Sequence, residues 1–262
     1  MIQSISRAVQ ILNLFRDTPR LGLSQIAQRV GLPKTTAFGL VQSLCEENFL
    51  AKDPKTHDYS LGIALFELGT IYESRLDLRQ IATPFMQALY EQVTDTVQLT
   101  VLTGRYSTYI SKVVAPNNMT FAMAIGIHAF AHCTASGKVL LAYQPRAEID
   151  KLYTGIPLER PTAHTQASYA QLSRQLDDIR RQGYSTECQE IHTELAGVAV
   201  PVFDGKGRSC AALCISFPYT RFSPEYLSSN VPLLKEAAVR ISEQLGCPRK
   251  LIPPEVLTPT LH

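Results

Sequence analysis

The stretch LGLSQIAQRVGLPKTTAFGLVQSLCEENFL, residues 21–50, holds two runs of helical period separated by Gly31, Leu32 and Pro33. Ile26, Ala27 and Val30 recur at helical spacing ahead of Gly31, whose tolerance of a left-handed backbone makes it a natural stop. Pro33 suits the first position of the next helix, whose apolar face is Ala37, Leu40, Val41 and Leu44. Thr35, Phe38, Gly39 and Gln42 are left on the opposite side, and Ser24 is placed to cap the first of the two helices. A helix-turn-helix whose second helix can enter a major groove satisfies this spacing. A small helical bundle with a solvated polar face satisfies it too.

The flanking residues extend the first alternative. ISRAVQILNLF places Ile5, Ala8, Val9, Leu12 and Phe15 on one face of a preceding helix that Pro19 and Gly22 end. FLAKDP and HDYSLG read as two short strands around a proline-marked turn, a wing on which Lys52, Lys55 and His57 can approach backbone phosphate. Charge alone argues weakly for nucleic acid. Residues 1–60 carry 7 Lys and Arg against 5 Asp and Glu, and the remaining residues balance at 18 against 18. Binding to DNA therefore has to come from geometry as well as field.

The chain's 262 residues suit two domains, each large enough to bury its own core. No apolar run approaches the roughly 18 residues needed to cross a bilayer, and no basic-then-apolar leader is visible, so a cytoplasmic location with no membrane partner is expected. Six cysteines without a CxxC pair read as reduced thiols.

Beyond residue 60, LGIALFELGTIYESRL sets Leu61, Leu65, Leu68 and Tyr72 along one side of a helix, which is either an exposed connector or a core helix of the first domain. A further helix spans about 78–93. Val97, Leu99 and Val101 then alternate with Thr96, Gln98 and Thr100, and YSTYISKVV follows Gly104 and Arg105 as the return strand of a hairpin. MTFAMAI predicts another strand, followed by helices over 134–143 and 168–182, the second capped by Ser168. GVAVPVF and CAALCISF form two late strands about the turn Asp204-Gly205-Lys206-Gly207. A last helix covers about 223–245 with a bend expected at Pro232, and the proline-rich tail 248–262 is expected to be loosely held.

Strand parity and one helix start point to a ligand site. Ala211, Leu213, Ile215 and Phe217 make an apolar face, while Cys210, Ala212, Cys214 and Ser216 make a face of small, weakly polar groups. In the neighbouring strand Val198, Val200 and Val202 oppose Gly197 and Ala199 in the same manner. Such small-residue faces can line a cavity or accept a closely packed helix. HCTASGKVLLA places Thr134, Ala135, Ser136 and Gly137 at a helix start, where unpaired N–H groups can hold an anion. An enzyme using Cys188 or Cys214 with His132 or His192 has no supporting motif around either cysteine. A metal or thiol sensor built on His132, Cys133, Cys188 and Cys214 is the stronger rival, although the adjacent His132 and Cys133 suit a single metal poorly.

The motifs ISRAVQILNLF, LSQIAQRVGLPKTTAF and YSLG, with the later stretches in order over nearly the whole chain, resemble the IclR family of bacterial transcriptional regulators. The resemblance implies an α+β chain. A winged helix-turn-helix would occupy 1–62, a connecting helix 63–76, and an effector-binding domain 77–247, built on a curved antiparallel sheet flanked by helices as in GAF or profilin folds. It implies a cytoplasmic homodimer or tetramer without enzymatic activity or cofactor, repressing or activating a catabolic operon. Its partners would be double-stranded operator DNA and a small organic acid or sugar derivative. The residues expected at DNA are Arg7, Ser24, Lys34, Thr35, Thr36, Phe38, Gln42, Lys52, Lys55 and His57. Gly39 stands where the family usually carries an arginine. Carried over to the effector site are Ala135, Ser136, Glu187, Gly197, Cys214 and Ser216, with Phe121 and Met123 as apolar walls. Glu187 would accept ligand hydroxyls or else be a solvated loop charge. Cys214 replaces a hydroxyl common in the family, which implies a ligand of different size or polarity.

Overall fold

A computed structural model of the chain describes residues 2–74, 77–114, 124–166 and 168–257. They fall into two compact units, residues 1–76 and 77–262.

The first unit is α1 (Gln3–Asn13), α2 (Leu23–Val30), α3 (Lys34–Glu46), the hairpin β1 (Leu50–Lys52) and β2 (Tyr59–Leu61), and α4 (Ile63–Ser74). Ile11, Phe15, Leu21, Ile26, Val41, Leu50 and Tyr59 form one core, so helix-turn-helix and wing share an interior. Gly31 ends α2 at φ 69°, the left-handed stop that its position required. Two local expectations need correction. Ser24 lies inside the first turn of α2; Gly22 occupies the cap position, and its N–H donates to Gln25 Oε1 at 2.9 Å. In α1 the buried residue is Ile11, and Phe15 is buried in the single turn that follows, whereas Ile5 and Val9 are more than half exposed. The α1 sequence is apolar on two sides, and periodicity could not choose between them.

The second unit opens with α5 (Asp77–Val93) and is organised by six antiparallel strands: β3 (Thr96–Thr103), β4 (Tyr106–Val113), β5 (His128–Phe130), β6 (Ser185–Cys188), β7 (Leu195–Phe203) and β8 (Ser209–Pro218). They lie in the order β5-β4-β3-β8-β7-β6. Between β5 and β6 come α6 (Ala135–Ala142), α7 (Arg146–Tyr153) and α8 (Tyr169–Gln182); α9 (Pro224–Gln244) and α10 (Pro254–Leu257) close the chain. Every residue of β7 is buried because both faces are covered. On one face Val198, Val200, Val202, Leu213, Ile215 and Phe217 meet Leu89 and Met86 of α5 and Leu234, Ala238 and Ile241 of α9. On the other, Ala199, Ala212 and Cys214 meet Val139 and Leu140 of α6 and Leu172 and Leu176 of α8.

Ser168 and Ser223 cap α8 and α9 through Gln171 N and Tyr226 N, and Pro232 lies within α9. The strand expected over 119–125 falls almost entirely outside the described residues, as do Phe121 and Met123. Sequence patterns missed β5, α7 and β6. The tail, expected to be loose, is packed as far as residue 257: Ile252 and Val256 are buried with Phe203, Val239 and Cys247. Its prolines break periodicity without preventing burial.

The tightest approach in this unit is at Gly137. A Cβ there would lie 2.3 Å from both Cα and O of Ala131, so the start of α6 can sit against the preceding turn only without a side chain. Gly137→Ala should lower the unfolding free energy by about 1–3 kcal/mol or prevent folding. Urea denaturation checks this, and an unchanged midpoint would mean the turn at 131–134 yields freely.

Candidate functional site

The first unit presents one face of α3. Ala37 and Val41 are fully buried, and Thr35, Thr36, Phe38, Gly39 and Gln42 are exposed, so burial divides the helix as the spacing required. Gln42 donates to Glu46 Oε1 at 3.1 Å. Lys34 is exposed at the start of the helix. On the wing, Lys52 holds its ammonium 5.7 Å over the Tyr59 ring, while Lys55 and His57 are exposed in the turn. Asp53 shapes that turn: Oδ1 accepts from Lys55 N at 2.8 Å and Thr56 N at 3.2 Å, and these bonds hold its carboxyl below the usual range. Ser24 is exposed near the start of α2, and Arg7 is half-buried on α1.

The second unit gathers a polar face at the start of α6. Directly opposed residues in an antiparallel sheet point to one side. Glu187, Gly197, Ser216 and Thr96 therefore form one row across β6, β7, β8 and β3. Ser185, Ala199, Cys214 and Gln98 form the next, and Ala212, Thr100 and Tyr109 lie in a third. The two sequence alternatives each describe part of this face: Ala199 and Ala212 accept the body of α6, and Gly197, Cys214 and Ser216 lie with the polar groups. A Cβ at Gly197 would lie 3.6 Å from Ala135 Cβ and 3.7 Å from Glu187 Oε1. Ala135, Ser136, Glu187, Gly197, Cys214 and Ser216 are thus brought to one side of the sheet, all buried.

Several groups at this face carry no sequence signal strong enough to have been assigned. Thr134 caps α6 by accepting from Gly137 N at 3.0 Å, and Ser107 Oγ lies 3.0 Å from the same hydroxyl. Ser216 donates to Gln98 Oε1 at 2.8 Å. Lys138, 2 % exposed, donates to Glu190 Oε1 at 2.5 Å. Glu190 N in turn donates to Glu187 Oε2 at 3.1 Å. Among the described residues, Thr96 Oγ1, Gln98 Nε2, Thr100 Oγ1 and Glu190 Oε2 are buried with no hydrogen-bond partner. The alternation of Thr96, Gln98 and Thr100 was visible in the sequence. What it lacked was the identity of the neighbouring strand.

Glu187 is not a solvated loop charge. It is 3 % exposed on β6, and burial pushes its carboxyl up to about 8, against the pull of Lys138 and the Glu190 N–H. At neutral pH it is therefore largely a carboxylic acid, able to donate. Burial likewise pushes the Cys133 and Cys214 thiols up to about 12, far from the thiolate that nucleophilic or metal chemistry needs, and lowers the basicity of His132. Among the described residues no group of three His, Cys, Asp or Glu could hold a metal ion. No described helix is long and apolar enough to cross a membrane.

The family model for the IclR helix-turn-helix domain matches residues 4–54, and that for the bacterial transcriptional regulator IclR C-terminal domain matches 70–243. The chain belongs to the IclR family. Its similarity to the regulator KdgR of Escherichia coli is 34% identity over 245 residues, covering 94% of this chain and 93% of that protein. With the regulator XynR of the same organism it is 32% identical over 95% of this chain and 99% of the relative. Among solved structures it resembles an IclR homologue from Microbacterium hydrocarbonoxydans complexed with 4-hydroxybenzoate, with a TM-score of 0.81, 26% identity, and coverage of 93% and 99% of the two chains. The Thermotoga maritima IclR gives a TM-score of 0.72 at 28% identity, covering 94% of this chain and all of that one. The chain is accordingly a DNA-binding transcriptional regulator with an effector-binding domain, and its relatives are named as regulators and not as enzymes.

Glu187 yields a pH test. Its carboxyl titrates near 4.5 when unfolded and near 8 when folded, so between those values the folded chain holds a proton that the unfolded chain has released. Stability should therefore fall as pH rises from about 5 to about 8. Glu187→Gln should flatten that part of the stability–pH curve. An identical curve for the variant would show that Glu187 does not carry the proton.

Proposed function

We propose that this regulator controls a catabolic operon, binding a pseudo-palindromic operator as a homodimer or tetramer and changing its affinity when a small organic acid enters the polar face at the start of α6. The observation that carries the reading is the convergence of buried, unpartnered Thr96, Gln98 and Thr100 with the α6 start on one side of the sheet. An unpaired buried polar group costs about 1–3 kcal/mol, and an assembly of them is retained where a ligand completes their bonds. A ligand carboxylate can accept from the α6 N–H groups and from Gln98 Nε2, and a protonated Glu187 donates to it instead of repelling it. Ligand hydroxyls suit Thr96, Thr100 and Ser216, which favours a hydroxylated or sugar-derived acid. The 4-hydroxybenzoate complexed with the Microbacterium homologue is an organic acid of the same broad class.

On the DNA side, α3 supplies Thr35, Thr36, Phe38 and Gln42 to a groove, and Lys34, Lys52, Lys55 and His57 approach phosphates, with Arg7 and Ser24 at the edge of the interface. Self-association is supported by apolar exposure on α4, where Ile63, Phe66, Leu68 and Ile71 are all more than half exposed. Regulation follows if the effector binds the DNA-competent and incompetent arrangements unequally.

A thermal-shift screen of small organic and sugar acids should find a ligand that raises the melting temperature, since a ligand of the native state stabilises it by mass action. Ser216→Leu should abolish that shift and the effector response while operator binding stays intact; a normal response in the variant sinks the site. Lys34→Ala and Lys52→Ala should each weaken binding to all duplexes and reduce the slope of log affinity against log salt by about 0.9. Slopes unchanged in both would remove the phosphate role.

A further inference from the structure

Gly39 lies near the middle of α3, a 13-residue helix, and among the described residues nothing beyond its own stretch of helix backbone lies within 4 Å of the position its Cβ would occupy. Neither a turn nor internal packing calls for glycine there, and glycine weakens a helix interior relative to alanine. The absent side chain matters to something outside the chain that must come close to the helix backbone. Beside it Phe38 leaves 47 % of its surface exposed. Thr35, Phe38, Gly39 and Gln42 follow the i, i+3, i+4, i+7 spacing and so share one stripe.

Between Lys34 and Glu46 this helix carries no charged residue. The commonest base contact, a cationic side chain on the two acceptors of guanine, is therefore unavailable to the stripe. The groove chemistry left to it is apolar contact with the thymine methyl, from Phe38, and amide pairing with adenine, from Gln42. Positive charge flanks the stripe in sequence, at Lys34 before it and at Lys52 and Lys55 on the wing, where duplex phosphates would lie. We propose that Phe38 and Gly39 form one specificity device directed at A·T pairs: the bare backbone at Gly39 lets α3 approach the groove floor, and the Phe38 ring covers a thymine 5-methyl group. This rests on the reading that α3 enters the major groove.

The full-length chain is used to enrich duplexes from a random library, and each thymine of the enriched half-site is then replaced by deoxyuridine, which lacks only the methyl group. One position per half-site should lose about 3–5-fold in affinity by fluorescence anisotropy at fixed salt, the value of one buried methyl. Phe38→Ala should bind thymine and uracil duplexes equally, Phe38→Leu should retain part of the preference, and Lys34→Ala should weaken both duplexes while keeping their ratio. Gly39→Ala should raise the melting temperature and yet weaken binding to the enriched duplex at least fivefold, a combination that a purely structural glycine cannot produce. An enriched site insensitive to every thymine replacement, or a Phe38→Ala variant that keeps the parent's ratio, overturns the device while leaving groove entry by α3 standing. Failure to enrich any sequence overturns both. Gly39→Ala binding as tightly as the parent overturns the role of the glycine.

Discussion

The buried ion pair between Lys138 and Glu190 is the constraint on which the effector-binding unit depends. Both side chains are nearly excluded from water, so removing either partner would strand a charge at a cost of about 3–5 kcal/mol. The pair ties α6 to the segment after β6, and that segment is fixed from outside as well. Thr162 Oγ1 donates to Gln189 O at 2.5 Å, and Thr165 Oγ1 to Glu190 O at 2.7 Å. With the segment fixed, the Glu190 N–H reaches Glu187, and the orientation of that buried acid follows. A hydrophobic pair of equal volume could seat the helix as well. It would keep the backbone N–H that reaches Glu187, but it could not leave a carboxylate oxygen, Glu190 Oε2, in the interior.

Much of this unit was legible in the sequence because antiparallel strands write their faces in alternate residues. The parity of 210–217 and 197–202 separated an apolar side from a side of small residues; the structure covers the first with α5 and α9, and the register places the second in common rows. Glu187 was not legible as buried, because β6 is four residues long and turns polar groups, Ser185 and Glu187, toward the interior. A strand with that pattern reads as a loop until its neighbour is known. Lys138 was hidden for a related reason: a lysine within an apolar helix ordinarily extends to solvent, and only the position of Glu190 in a distant segment makes burial tolerable.

The first unit was legible in a different sense. The turn at Gly31, the burial of Ala37 and Val41, and the two wing strands follow from local chemistry, whereas α1 carries Ile5 and Val9 on one side and Ile11 on the other, with Phe15 buried just beyond its end. A helix with one apolar stripe announces its core side. A helix with two announces a second surface, and spacing cannot say which stripe the chain itself covers. On α4 the apolar stripe anticipated on one side is broader than expected, since Ile63, Phe66 and Ile71 are exposed together with Leu68.

Both proposed faces hold groups that the fold itself does not use. The buried Asp95 carboxylate is paired, accepting from Arg221 at 2.6 Å and from Tyr226 at 2.7 Å. At the start of α6, Thr96, Gln98 and Thr100 are buried without partners and an acid is held neutral; on α3, a glycine and an exposed phenylalanine stand where neither helps the fold. Each leaves groups to which an outside molecule can bind. The two sets differ in the molecule they fit. The buried set offers directed hydrogen bonds, which suit a small polar ligand, and the α3 set offers a close, nearly uncharged contact flanked by lysines, which suits the floor and walls of a duplex groove.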